Sequence, residues 1–214
     1  MEIPKMTTQD YSLKLAKGLL GAIPFAGGFV GELLDICIIP QYQKKLEEWF
    51  IFVNKELNDL TVKNIISKEE IFNNEEFASL FQRTSKIYAN NIQKHKEPLL
   101  KSFLLSSLTK PQPIDKKLLF LSIIDELTEN QLMIFKEIYD NEMSPNYMYQ
   151  SELEEKLAEK YLQNEKNYLE LVISQLANFR LLGSGSANIV INNVNQWNLR
   201  TSIIGKEFIN YLTN

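Results

Sequence analysis

Cysteine is almost missing from this sequence: Cys37 stands alone, so no disulfide can close within the chain and a secreted disulfide scaffold is excluded. A reducing cytoplasm is the expected home. Histidine is equally scarce. The single His95 lies among Gln93, Lys94 and Lys96, the setting of a solvated residue near a helix end rather than of a general base. A zinc site would have to be built from carboxylates nearly alone, so neither a metal nor another cofactor is expected. Long apolar runs are lacking too. The uncharged window covers only residues 18–31, short of the about 20 residues a bilayer-spanning helix needs. A secretory leader fits poorly, because Glu2 and Asp10 sit where a basic region belongs and Pro24 breaks the apolar stretch.

What is present describes a folding protein. Hydrophobic residues make up 44% and charged ones 23%, with 12 Phe and 9 Tyr, which is the balance of a globular chain and not of a disordered one. A length of 214 residues suits two small domains. Charge is uneven: residues 1–110 hold 14 Lys/Arg against 13 Asp/Glu, net +1, and residues 111–214 hold 9 against 14, net −5. The second half therefore repels polyanions.

Five of the eight glycines fall in residues 18–39, where Pro24 and the glycines predict two short helices around a kink. Pro40 suits the first turn of the next helix, predicted over 41–60 with a seam of Leu46, Phe50, Val53, Leu57 and Leu60 beside Trp49. Ser67 and Glu70 form a capping-box signal for a short helix over 68–72. Phe77, Leu80, Phe81, Thr84, Ile87 and Tyr88 give one aromatic-rich face to a helix over 75–95, and Pro98 opens another over 99–108. Pro111 and Pro113 mark the linker candidate, which divides the chain into a helical domain over 1–110 and a second domain over 114–214.

Beyond it the period predicts helices over 116–125, 129–141 capped by Thr128, 151–161 with Ser151 and Glu154 as capping box, and 165–178. The pattern then alternates through Leu181-Leu182 and Ile189-Val190-Ile191, predicting a hairpin whose turn comes from Gly183 and Gly185, before a closing helix over 206–211. Helices, hairpin and terminal helix follow the winged-helix order. The expected fold is thus mainly α, an N-terminal helical bundle followed by a small winged-helix-like α+β domain.

Chemistry has few candidates. Adjacent acids such as Glu69-Glu70, Asp125-Glu126 and Glu154-Glu155 point different ways around a helix, as solvated faces do, so no catalytic residue is assigned and the chain is not expected to be an enzyme. Two contact surfaces remain. Gly27 and Gly31, with Phe29 between them, have the small-residue spacing that lets helices approach closely, in a membrane or an oligomer, although Glu32 and Asp35 favour a packed position outside lipid. Lys166, Gln175, Arg180 and Arg200 are the nucleic-acid candidates of the winged-helix pattern. The helix carrying Lys166 is too poor in cations for a phosphate-facing surface.

The segments QYQKKLEEWFIFVNKELNDL, EEFASLFQRTSKIYANNIQ, LTENQLMIFKEIYD and LRTSIIGKEFINYL, after a Gly/Pro-containing apolar stretch, make the chain similar to bacterial helical proteins akin to the abortive-infection alpha family. That family's His-Pro-containing stretch is not found here, so no functional residue carries over. The resemblance implies a bacterial antiviral defence role. The expectation is a non-enzymatic, cytoplasmic defence protein acting through protein–protein contacts with a partner or a second copy. A membrane-perturbing effector using residues 18–39, peripheral to the membrane, and a winged-helix transcriptional regulator are the alternatives.

Overall fold

The computed structural model describes residues 40–213 apart from His95, Tyr147, 184–188, 192–193 and 197–198, with backbone alone for 40–43, Gln150 and the strand residues between 189 and 196. The Gly-rich segment, including Gly27, Phe29, Gly31 and Cys37, lies outside the described residues, as does His95. The described chain is mainly helical and divides into two compact units, Met1–Leu121 and Ser122–Asn214. Among the described residues no helix is long and apolar enough to cross a membrane.

In the first unit α1 spans Pro40–Val62, α2 Lys68–Phe72, α3 Glu75–Asn90 and α4 Lys96–Thr109. The α1 seam folds inward: Leu46, Trp49, Phe50, Val53 and Leu57 are all buried. It meets the buried face of α3, formed by Phe77, Leu80, Phe81, Thr84 and Tyr88. Trp49 is the centre of this contact. Its indole stacks on Tyr88 at 4.6 Å and its Nε1 donates to Ser85 Oγ at 2.8 Å, so the one polar atom of a fully buried ring is satisfied. The Tyr88 hydroxyl donates to Glu97 at 3.3 Å, and burial together with the Glu97 charge pushes it up to about 12.

The helix expected to run to residue 95 ends at Asn90, and α4 begins at Lys96 ahead of Pro98. Asn91 is the reason. It leaves helical geometry, and its side chain accepts from Gln93 N at 2.9 Å, a local turn that competes with another helical residue. Pro98 then lies in the first turn of α4, where a missing N–H is harmless.

Helix α5 spans Ile114–Glu126 after the short Lys110–Pro113 connection, and the division between the units falls inside it. In the first unit Lys117 is buried, yet its ammonium donates to Glu76 at 2.6 Å and to the Ser107 carbonyl at 2.9 Å, which offsets the desolvation of a charge.

In the second unit α6 spans Glu129–Met143, α7 Gln150–Leu162, α8 Lys166–Asn178, β1 Ile189–Ile191, β2 Val194–Gln196 and α9 Ile203–Leu212. The capping box of α6 forms between Thr128 and Gln131. The one expected at Ser151 does not form. Helix α7 already starts at Gln150, with Tyr149 as its cap and no side-chain bond. The entry is fixed instead by Asn141, which accepts from Met148 N at 2.8 Å and donates to its carbonyl at 3.3 Å. Tertiary anchoring of the incoming loop outweighs a cap worth about 1 kcal/mol.

The hairpin forms, but its turn is displaced from Gly183 and Gly185. Ile191 pairs with Val194, which leaves Asn192 and Asn193 between the strands. Gly183 is paired backbone instead, its N–H donating to the Arg200 carbonyl at 2.7 Å beside the Leu182 and Thr201 bridge. The closing helix starts three residues before the expected one because Ser202 caps it, accepting from Gly205 N at 2.8 Å. Phe135 of α6 and Phe208 of α9 meet in the core at 6.2 Å.

Candidate functional site

Helix α8 buries Leu169, Val172, Ile173 and Leu176, a stripe at helical spacing. The opposite stripe, Asn167, Leu171, Ser174 and Asn178, therefore faces outward. It is uncharged along its whole length, and Leu171 at its middle is 51% exposed. Tyr168, on the flank of the same face, is 39% exposed. In a chain with 23% charged residues, this outward helical stripe carries no charge and one half-exposed leucine.

Two polar clusters hold this unit together around α6. Glu137 accepts from Lys156, from Lys160 at 2.8 Å and from Tyr161 at 3.0 Å, tying α6 to α7. The Lys156 and Lys160 ammonium groups bring its carboxyl down to about 2, with Tyr161 helping and burial opposing. Glu142 accepts from Lys206 Nζ at 2.7 Å and from Thr201 N at 2.8 Å, tying α6 to α9. Burial pushes that carboxyl up, but these two donors outweigh it and leave it below the ordinary carboxylate value. Both acids are fully engaged by cations and N–H groups, the condition of structural clamps and not of proton donors.

The nucleic-acid candidates separate. Lys166 is exposed at the first position of α8. Gln175, expected to face outward, is half-buried because its amide carbonyl accepts from the Gln131 side chain of α6. Arg180 follows the C-terminus of α8, at the far end from Lys166 by about 20 Å of helix. Arg180 and Arg200, both exposed, flank one antiparallel pairing: Ser202 donates to the Arg180 carbonyl and Gly183 N to the Arg200 carbonyl. Those two come together; Lys166 and Gln175 do not join them.

Sequence reasoning missed Tyr168 and Leu171. A signal was there, because Leu171 lies on the side of the helical wheel opposite Leu169, Val172, Ile173 and Leu176. Among the described residues no group of three or more His, Cys, Asp or Glu could hold a metal ion. No family model, no curated protein and no solved structure matches this chain.

Proposed function

We propose that this chain is a bacterial defence protein of the abortive-infection type, working through a protein contact made by α8 in a winged-helix-like second unit. The observation that carries the contact is the uncharged outward stripe with Leu171 at its centre. The order α6, α7, α8, hairpin, α9 supports the winged-helix reading, with the Leu182 and Thr201 bridge closing the base of the wing. In that arrangement α8 is the helix offered to a partner. Its only cation is Lys166, offset by Glu170, so it suits a protein surface better than phosphates. The defence setting rests on the resemblance drawn from the sequence.

The test is efficiency of plating for a panel of phages on bacteria expressing the chain or its Leu171→Glu variant. The expected result is at least about tenfold protection by the wild type, removed by Leu171→Glu while the circular dichroism spectrum and melting temperature stay unchanged. No protection against any phage overturns the defence role. Protection untouched by Leu171→Glu takes the contact away from α8.

One observation favours a second reading, DNA binding at the base of the wing: Arg180 and Arg200 flank the same backbone pairing. It predicts a strongly salt-dependent mobility shift lost in the Arg180→Ala, Arg200→Ala double variant, and no retardation at low salt removes it.

A further inference from the structure

We propose that Glu142 is a latch, a carboxylate near the C-terminal end of α6 that takes the place of a third strand at the base of the hairpin. When it lets go, the segment around Leu182 and Thr201 opens as a local unit while the helices of the second unit stay folded. The latch works whether or not α8 meets a partner.

The pairing at this base is the kind in which the two facing residues do not bond each other. Gly183 N donates to the Arg200 carbonyl at 2.7 Å and Ser202 N to the Leu181 carbonyl at 2.9 Å, on either side of the Leu182 and Thr201 bridge. The N–H of Thr201 itself therefore points off the outer edge of the pairing. Thr201 is buried, so that amide needs a partner within the protein. Among the described residues no further strand lies along this edge. Glu142 stands there instead: its Oε2 accepts from Thr201 N at 2.8 Å, while its Oε1 accepts from Lys206 Nζ of α9 at 2.7 Å.

A strand would hold the edge through several backbone bonds, and the carboxylate holds it through one. The Glu142 and Lys206 side chains are 22% and 40% exposed, so water can take over both charges when they part. The helices depend on other bonds. Ser202 caps α9 through Gly205 N and donates to the Arg180 carbonyl, Phe135 meets Phe208 in the core, and Glu137 joins α6 to α7. Release of Glu142 thus loosens 181–183 and 200–202 without undoing a helix. Leu181, Leu182 and Leu199 are buried, which makes the open form a minor one, of the kind that amide exchange detects.

Amide exchange of the full chain under native conditions, read residue by residue by nuclear magnetic resonance, tests the latch. In Glu142→Ala the amides of Thr201, Gly183 and Ser202 should exchange at least about tenfold faster than in the wild type, while those of Ile134, Ile138 and Val172 change by less than about twofold. Glu142→Gln keeps an acceptor for Thr201 N and loses the ion pair, so it should fall between the two. Glu137→Gln, which alters a carboxylate with as many partners on the same helix, should leave the Thr201 amide as it was. Unchanged exchange at the three amides in Glu142→Ala, the same acceleration throughout the second unit, or an equal effect from Glu137→Gln each overturns the proposal. If Glu142→Ala does not fold, Glu142→Gln decides by the same comparison: acceleration confined to the three amides supports the latch, and uniform acceleration or none overturns it.

Discussion

At Gly205 a methyl group would stand 2.3 Å from the Leu181 carbonyl oxygen and 2.8 Å from Thr201 Cγ2. Those contacts explain the glycine in α9: the helix runs directly over the backbone at Leu181, and Phe135 closes the remaining side at 3.0 Å. Alanine is ordinarily the better helix former by up to about 1 kcal/mol. Here the clash is with backbone, which cannot swing aside. Gly205→Ala should therefore destabilise the protein by about 1–3 kcal/mol, read as a lower urea midpoint with an unchanged slope. A midpoint equal to the wild type's would mean that the paired segment yields and that the close approach has no energetic weight. Residue-level roles were unevenly legible. Trp49 and the α1 seam followed from helical spacing, whereas Gly205 carries no local sign of what lies over it.

Among the elements, α6 is the one the second unit is built around, bonded to α7 through Glu137, to α8 through Gln131 and to α9 through Glu142. The Glu137 clamp has a pH signature. Its carboxyl is brought from 4.5 down to about 2 by Lys156 and Lys160, so its contribution is present above the ordinary value and is lost as pH falls through the folded one. Stability should decline between about pH 4.5 and pH 2, and Glu137→Gln should make that decline shallower. Because the lysines are well exposed, the variant should lose no more than about 1 kcal/mol at neutral pH. Urea titrations at several pH values read both effects; an equally steep acid decline in Glu137→Gln would assign it to other carboxylates. Helix ends were legible where the cap is local, at Ser67 with Glu70 and at Thr128. At α7 the cap lost to Asn141, which belongs to the preceding helix.

For the whole molecule, the division inside α5 decides where the chain can be cut. Phe120, Leu121, Ile123 and Ile124 are all buried and the division falls between Leu121 and Ser122, so a cut at Ser122 would leave only the last residues of α5 on the downstream piece. A remnant that short does not hold helical structure unaided. A fragment of residues 111–214 should melt cooperatively, and one of residues 122–214 should melt at a lower temperature with less helix per residue by circular dichroism. Equal melting of the two would show that the first half of α5 contributes nothing to the second unit. The prolines at 111 and 113 mark the break between α4 and α5, which local backbone chemistry announces; the extent of a compact unit depends on packing, which it does not.

By itself the sequence determined that helices form, which stripe of each turns inward and where local caps begin them, because helical period, proline and short-range hydrogen bonds act within a few residues. It also determined that a hairpin follows α8, from the change of period. Only the tertiary structure decided that Gln175 turns to Gln131, 44 positions away, that Glu142 reaches Lys206 across 64, and that Gly183 pairs with Arg200 while the strands meet beyond it. It decided too that Leu171 stands half-exposed on the outer side of α8. Such contacts join residues distant along the chain, and their free energy exists only once the elements between them have packed.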